Sequence, residues 1–279
     1  MAFKHPGPYA PGHPPVRYGT SKLTFRGPER DLSGRYIACL GGTETRGADI
    51  DAPWPTILED GLGLPCVNFG WPNAGPDAFL NDDGIMTLAN GADAVILQIL
   101  PTMNLSNPYY TVHPRRNDRF LCGTAKLRTL YPDVDFTEFH FTRHMMRRLS
   151  TLAPDRFAQL RQALQDVWIA RMQALLARIA PPVVLLWFGN HPPGDGTLSA
   201  EISDDPAFVS RDMLQAVRPG ADQVVEVVIS PDARAENTPR PVNPSTKEGA
   251  DSARLPGPLA HREAARALLP AVQTVLPLS

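Results

Sequence analysis

The chain has 279 residues, of which 43% are hydrophobic and 20% are charged, and its formal net charge is -2. This length and composition are enough for one large hydrophobic core and do not require a second domain. The near-neutral charge does not indicate nucleic acid or an anionic membrane surface as a partner.

Five apolar runs have the character of buried strands. Each run is almost continuously apolar instead of alternating, which is typical of strands that are covered on both faces, as in a parallel sheet. In chain order the predicted strands are residues 36–40, 66–69, 94–100, 183–188 and 224–229.

Helical patterns fall between these runs, at residues 55–62, 79–90, 154–179, 210–217 and 261–276. The longest has apolar residues at a period of 3.6, with Pro154 in its first turn and Pro181 just beyond its end. The alternation of strands and helices predicts the α/β class. We expect a flavodoxin-like, doubly wound, parallel five-stranded sheet in the order 2-1-3-4-5.

We expect a single domain over residues 1–279, with residues 1–30 as an extended N-terminal arm. Residues 104–152 do not fit the simple alternation and are rich in Arg, His, Phe and Tyr. We interpret them as a helical cap insertion over the carboxyl ends of the strands, where folds of this class bind their ligands.

The N-terminus has no apolar segment of the kind that a secretory signal needs, and no stretch approaches 18 consecutive apolar residues. We therefore expect a cytoplasmic protein without a membrane span. Three cysteines without a CxxC spacing do not indicate a disulfide framework or a zinc site. We expect no cofactor and no metal; the oligomeric state is left open.

Four loops should converge at the carboxyl edge of the sheet, at residues 41–47, 68–75, 102–104 and 256–261. They carry the parts of an acyl-transfer site, which are a hydroxyl on a glycine turn (Thr43), a second glycine turn (Gly70), an amide (Asn104) and a histidine (His261). Each part also has a plain structural explanation. Thr43 could cap a helix, Asn104 could satisfy loop backbone, and His261 could lie exposed on the last helix.

The order and spacing of these loops resemble the conserved blocks of the SGNH (GDSL-like) hydrolase superfamily. The first block corresponds to Gly41-Gly42-Thr43 with Gly47, and the second to the glycine in Asn68-Phe69-Gly70. The third block corresponds to Thr102-Met103-Asn104-Leu105 and the fifth to Pro258-Leu259-Ala260-His261. More closely, the chain resembles a bacterial SGNH-like family with Gly-Gly-Thr-Glu-Thr in the first block and His-Pro-Arg-Arg-Asn-Asp-Arg-Phe in mid-chain.

The resemblance implies an acyl-ester hydrolase or acyltransferase that acts on a small ester, for which an anionic or carbohydrate-linked ester is a candidate. Thr43 would be the nucleophile and His261 the general base, and the Thr43 N–H, the Gly70 N–H and Asn104 would form the oxyanion hole. Gly42 would lie with the substrate-binding residues.

Two departures from the family pattern bear on activity. Thr43 replaces the usual serine, and its methyl group crowds the approach to the hydroxyl. Pro258 replaces the aspartate that would orient His261, so a backbone carbonyl, or another carboxylate such as Asp204, Asp205 or Asp251, would have to orient the ring. These departures favour the alternative function, a catalytically inactive SGNH-like protein that binds an anionic small molecule or a glycan.

Four arginines of the insertion, Arg115, Arg116, Arg119 and Arg143, are candidate substrate-binding residues because guanidinium groups recognise carboxylate, sulfate and phosphate. A third possibility is a group-transfer enzyme that uses these arginines to hold a sulfated or phosphorylated donor. No phosphate loop of a recognised type supports it.

Overall fold

The computed structural model describes residues 14–194, 198–239 and 254–277. Its strands are β1 (Ile37–Gly41), β2 (Cys66–Gly70), β3 (Ala94–Gln98), β4 (Tyr110–Val112), β5 (Phe120–Gly123), β6 (Val183–Gly189), β7 (Gln223–Val228), β8 (Thr238–Pro239) and β9 (Arg254–Leu255).

The α-helices of the described residues are α1 (Thr43–Arg46), α2 (Trp54–Leu62), α3 (Pro76–Leu80), α4 (Asp83–Asn90), α5 (Ala125–Leu130), α6 (Thr142–Leu152), α7 (Pro154–Ala177), α8 (Leu198–Ser203), α9 (Arg211–Val217), α10 (Pro231–Ala235) and α11 (Pro258–Val275). Two short 3₁₀-helices lie at Phe136–Glu138 and Arg218–Gly220. None of the helices in this part of the chain is long and apolar enough to cross a membrane.

A five-stranded, all-parallel sheet lies at the centre, in the order β2-β1-β3-β6-β7. The expected α/β class is therefore confirmed. The strand numbers differ from the expected 2-1-3-4-5 because the sequence analysis missed the antiparallel hairpin β4–β5, which comes between β3 and β6 in the chain. The hairpin forms a separate two-stranded sheet, and β8–β9 forms another.

Both faces of the sheet are buried, which explains why the strands read as unbroken apolar runs. Successive residues of β1 point to opposite faces. Ala38 and Leu40 pack in one hydrophobic cluster with residues of α3, α4, α7 and α9. Ile37 and Cys39 pack in another cluster with residues of α2, α10 and α11.

The predicted helix at residues 79–90 is wrong in one respect, because two helices, α3 and α4, occupy the region. Asp82 separates them by capping α4, where its carboxylate accepts a hydrogen bond from Ile85 N at 3.1 Å. The other carboxylate oxygen binds Ser21 Oγ at 3.1 Å and Lys22 N at 2.9 Å. The N-terminal arm thus fixes the break between the two helices.

Of the expected N-terminal arm, residues 1–13 lie outside the described residues. Residues 14–30 pack on the sheet, with a bridge between Val16 and Phe25. The Phe25 and Tyr18 rings stand edge-on to Phe69 of β2, at 5.1 and 5.5 Å between ring centroids. This segment is part of the core.

The expected cap insertion at residues 104–152 contains the β4–β5 hairpin together with α5, a 3₁₀-helix and α6. Its apolar residues form a third hydrophobic cluster, which continues into α7 and the segment around Phe208. Trp71 Nε1 donates to Arg115 O at 2.5 Å, and Gly75 N donates to Asn117 Oδ1 at 2.8 Å. The insertion therefore contacts the loop that leaves β2 at its carboxyl end.

Candidate functional site

The tight turn between β1 and α1 places Thr43 at the carboxyl edge of the sheet. Gly41 is the last residue of β1 and pairs with Gly70, the last residue of β2. A Cβ atom on Gly41 would lie 2.0 Å from Thr45 Oγ1, and one on Gly70 would lie 2.3 Å from the Arg46 amide nitrogen. Both positions therefore require glycine because α1 packs directly against the strand ends.

Gln98, a buried residue at the end of β3, holds this turn in place. Its Oε1 accepts hydrogen bonds from Gly42 N and Thr45 N, each at 3.1 Å, and from Thr45 Oγ1 at 2.5 Å. Its Nε2 donates to Glu44 Oε2 at 3.0 Å. One amide side chain thus satisfies the N-cap amide and the third amide of α1, and it fixes the buried Glu44 carboxylate.

The Thr43 hydroxyl is held by an asparagine and not by a histidine. Thr43 Oγ1 accepts from Asn73 N at 2.9 Å and donates to Asn73 Oδ1 at 3.2 Å. Asn73 Nδ2 donates in turn to Asp118 Oδ2 at 3.0 Å. The amide orientation follows from this last contact, since a flipped amide would place its oxygen against the Asp118 carboxylate. The hydroxyl proton therefore faces an amide oxygen, which is a very weak base.

Asn104, which lies in the loop after the third strand, contacts Asn73. Asn104 Nδ2 donates to Asn73 O at 3.0 Å, and Asn104 Oδ1 accepts from Thr142 Oγ1 at 3.0 Å. A Cβ atom on Gly75 would lie 1.8 Å from Asn104 O, so the two loops are in direct contact. In this arrangement the Asn104 amide joins the crevice loop to α6 of the insertion.

The Gly70 N–H, the second predicted oxyanion-hole donor, already has an acceptor. It donates to Asn68 Oδ1 at 2.9 Å, and Asn68 Nδ2 donates to Thr45 O at 2.8 Å. A developing oxyanion would have to displace Asn68 before it could bind this amide.

His261 is buried in the first turn of α11, with 1% of its surface exposed. Its Nδ1 accepts a hydrogen bond from Trp54 N at 3.1 Å, and its ring stands edge-on to Phe188 at 5.5 Å between centroids. Trp54 N–H is a first-turn amide of α2, which has no acceptor inside its own helix. His261 is therefore not exposed on the last helix, which was the structural alternative that the sequence left open, and it provides this amide of α2 with its acceptor.

The hydrogen bond from Trp54 fixes the protonation of His261. Because Nδ1 accepts, the neutral ring carries its proton on Nε2. Burial, together with the nearby positive charge of Arg26, lowers the pKa of His261 to about 3. In a hydrolase base, Nδ1 donates to an orienting group while the bare Nε2 takes the nucleophile's proton. In His261 the two ring nitrogens have the opposite roles, because Nδ1 accepts a hydrogen bond and Nε2 carries the proton.

In the described part of the chain, His261 Nδ1 faces an amide donor and not one of the carboxylates considered as its partners. Asp205 forms an ion pair with Arg143, at 2.6 Å between Arg143 Nη2 and Asp205 Oδ1. Asp251 lies outside the described residues. The ring atom that would receive a carboxylate instead faces the Trp54 amide.

Thr43 and His261 do line one small cleft, together with Glu44, Asp49, Thr238 and Leu255 among others. The volume of this cleft is about 10 Å³, which is room for about one water molecule. The charged residues of its lining are the acidic Glu44 and Asp49.

The four arginines predicted to bind an anion are separate from this cleft. Arg143 is committed to its ion pair with Asp205 and also donates to Ile202 O. Arg119 stacks over the Phe141 ring at 4.5 Å, and Arg115 and Arg116 are exposed. The structure therefore does not bring these arginines together with Thr43 and His261. Among the described residues, no group of three or more His, Cys, Asp or Glu could hold a metal ion.

Sequence reasoning missed several residues that build the site. Gln98 could have been found as the one polar residue in an otherwise apolar strand. Asn73 has a positive φ of 53°, which asparagine tolerates better than most residues, and it lies in a loop that was already assigned to the crevice. The pairing of Trp54 N with His261 spans 207 positions and has no local signal.

Comparison with known proteins gives one family. The family model described as domain of unknown function DUF6473 matches residues 1–276. No curated protein matches the chain.

Proposed function

Because the chain belongs to the DUF6473 family, whose description assigns no function, we propose from the site geometry that it is a binding protein on an SGNH-like scaffold. In this proposal the flavodoxin-like crevice retains the shape of a hydrolase site without a working nucleophile–base pair. The observation that carries the proposal is the hydrogen bond from Trp54 N to His261 Nδ1.

Two further features support the loss of hydrolase chemistry. The Thr43 hydroxyl donates to Asn73 Oδ1, so its proton has no basic acceptor. The pKa of His261, lowered to about 3 by burial, means that the ring would bind a proton only weakly at neutral pH. Both features concern proton transfer, which is the step that a hydroxyl nucleophile needs.

The lining of the cleft favours a polar, hydroxyl-bearing ligand such as a glycan over an anionic one. Glu44 and Asp49 contribute negative charge, and Thr43 contributes a hydroxyl. The cleft admits a group about the size of a water molecule, so a ligand would insert a single hydroxyl next to Glu44. An anionic group in this place would face two carboxylates.

The proposal is tested by binding and turnover on the same protein. Thermal shift with a panel of neutral sugars and the corresponding sugar acids should show stabilisation by a neutral sugar, and Glu44→Gln should weaken that binding. A panel of short acyl esters should be hydrolysed no faster by the wild type than by Thr43→Ala. Stabilisation by sugar acids alone, or turnover that Thr43→Ala abolishes, would overturn the proposal.

The second candidate is the acyl-ester hydrolase or acyltransferase that the resemblance implies. The observation that favours it is the presence of Thr43 and His261 in the lining of one cleft. A Thr43→Ser change separates the two candidates, because it removes the crowding methyl group. It should raise ester turnover in a weakened hydrolase and leave a binding protein inactive.

A further inference from the structure

A second cavity lies in the insertion, and none of its lining residues belongs to the Thr43 cleft. It is formed by β5, α5 and the 3₁₀-helix Phe136–Glu138, and its volume is about 340 Å³. Cavities of a few hundred cubic ångströms are of the size that binds small organic molecules. This cavity is far larger than the cleft beside Thr43.

The walls of this cavity are mainly apolar. Its lining includes Phe120, Tyr131, Val134 and Phe136. Leu121 at its edge has 55% of its surface exposed, more than the other exposed large hydrophobic residues in the described part of the chain. An apolar group that entered the cavity would remove such surface from water, which is a favourable change.

The charged groups of the lining are Arg128 and Asp135, and they differ in how they are held. Asp135 caps the 3₁₀-helix, where its Oδ1 accepts from Thr137 N at 2.9 Å and from Thr137 Oγ1 at 2.7 Å. These hydrogen bonds lower the pKa of Asp135. Arg128 makes no ion pair with any residue that the structure describes. The cavity therefore combines apolar walls with one cation that lacks a counter-ion among the described residues.

We propose that this cavity binds a small carboxylate with an apolar body, whose carboxylate pairs with the Arg128 guanidinium while its hydrocarbon part contacts Phe120 and Phe136. The guanidinium offers donors to both carboxylate oxygens. The lining of this cavity shares no residue with that of the Thr43 cleft, so this proposal does not depend on the proposed function.

Calorimetric titration of the full chain with octanoate tests the charge and the apolar body together. We expect octanoate to bind, and 1-octanol and octylamine, which have a similar chain length without the negative charge, to bind at least about tenfold more weakly. No octanoate binding at millimolar concentration, or equal binding of octylamine, would overturn the proposal.

Two variants and one control place the ligand. Arg128→Ala should weaken octanoate binding about tenfold, whereas Arg148→Ala, which removes an exposed arginine of α6, should leave it unchanged. Asp135→Asn keeps a residue that caps helices well and removes the negative charge, so it should tighten binding. Equal effects of Arg128→Ala and Arg148→Ala would show that general charge, and not this cavity, attracts the carboxylate.

Cys122 gives an independent report on location. It lines the cavity and is exposed, whereas Cys39 and Cys66 are buried. Octanoate should therefore slow the alkylation of Cys122 by iodoacetamide. Binding of octanoate without any protection of Cys122 would contradict the assignment to this cavity.

Discussion

Replacing His261 with alanine tests whether this histidine is a structural acceptor. The change leaves the buried Trp54 N–H without an acceptor, at a cost of about 1–3 kcal/mol. Loss of the edge-on contact with Phe188 adds about 1 kcal/mol. We therefore expect His261→Ala to lower the free energy of unfolding by about 2–4 kcal/mol, measured by urea denaturation at pH 7.5.

The pH dependence of stability provides a second signature of the same residue. The ordinary pKa of histidine, about 6.5, applies to the unfolded chain, and burial lowers the pKa of His261 to about 3 in the folded state. The unfolded chain therefore binds the proton first. The contribution of neutral His261 is fully present above pH 6.5 and is lost as the pH falls toward 3. Between pH 7 and pH 5 this group alone should lower stability by about 2 kcal/mol.

His140→Ala is the matched control, because His140 is an exposed histidine outside the crevice. It should leave both the stability at pH 7.5 and the slope between pH 7 and pH 5 close to those of the wild type. His261→Ala should lose about 2 kcal/mol of the pH-dependent difference. The reasoning is refuted if His261→Ala unfolds at the wild-type urea concentration, or if it retains the full wild-type slope.

Three further predictions concern the residues that shape the crevice. Gln98→Met should lower the free energy of unfolding, measured by urea denaturation, by at least about 3 kcal/mol, because it leaves Gly42 N, Thr45 N and Thr45 Oγ1 without their acceptor. A loss below about 1 kcal/mol would refute the role of Gln98 in holding the turn. Gly75→Ala should lower the melting temperature by several degrees, because its Cβ would lie 1.8 Å from Asn104 O. Gly34→Ala is the control, and it should leave the melting temperature nearly unchanged because there is open space around Gly34. Equal melting temperatures of the two variants would contradict the loop contact. Asp205→Ala should lower the free energy of unfolding by about 3 kcal/mol, because it leaves the half-buried Arg143 without its ion-pair partner. Arg119→Ala should lower the free energy of unfolding by less. The opposite ranking would contradict the assignment of Arg143 to a structural ion pair.

The sequence predicted the central sheet because its strands are buried on both faces. Each of the five predicted strands lies within two residues of an observed one, and α2, α7, α9 and α11 lie close to their predicted positions. Continuous apolar runs and the 3.6 period are local signals, so one sequence is sufficient to find them. The elements that were missed are short. The β4–β5 hairpin has strands of three and four residues, and its packing depends on distant parts of the insertion.

The site was harder to predict because its chemistry depends on the direction of hydrogen bonds. The sequence analysis placed Thr43, Asn104 and His261 at one edge of the sheet. In the structure Thr43 and Asn104 both form hydrogen bonds with Asn73, and Thr43 and His261 line one cleft. It could not show that the Thr43 proton faces Asn73 or that His261 faces the amide of α2. Those partners are 30 and 207 positions away in the chain. Sequence reasoning likewise could not show that Arg143 pairs with Asp205, which is 62 positions away in the chain.

The central claim, that His261 is a neutral acceptor and not a base, is tested most directly by nitrogen-15 NMR of the histidine side chains between pH 8 and pH 5. The account predicts that His261 has a proton on Nε2, a bare Nδ1 that is coupled to the Trp54 amide, and no titration across this range. A proton on Nδ1, or titration with a pKa near 6.5, would contradict the account and restore His261 as a candidate base for Thr43.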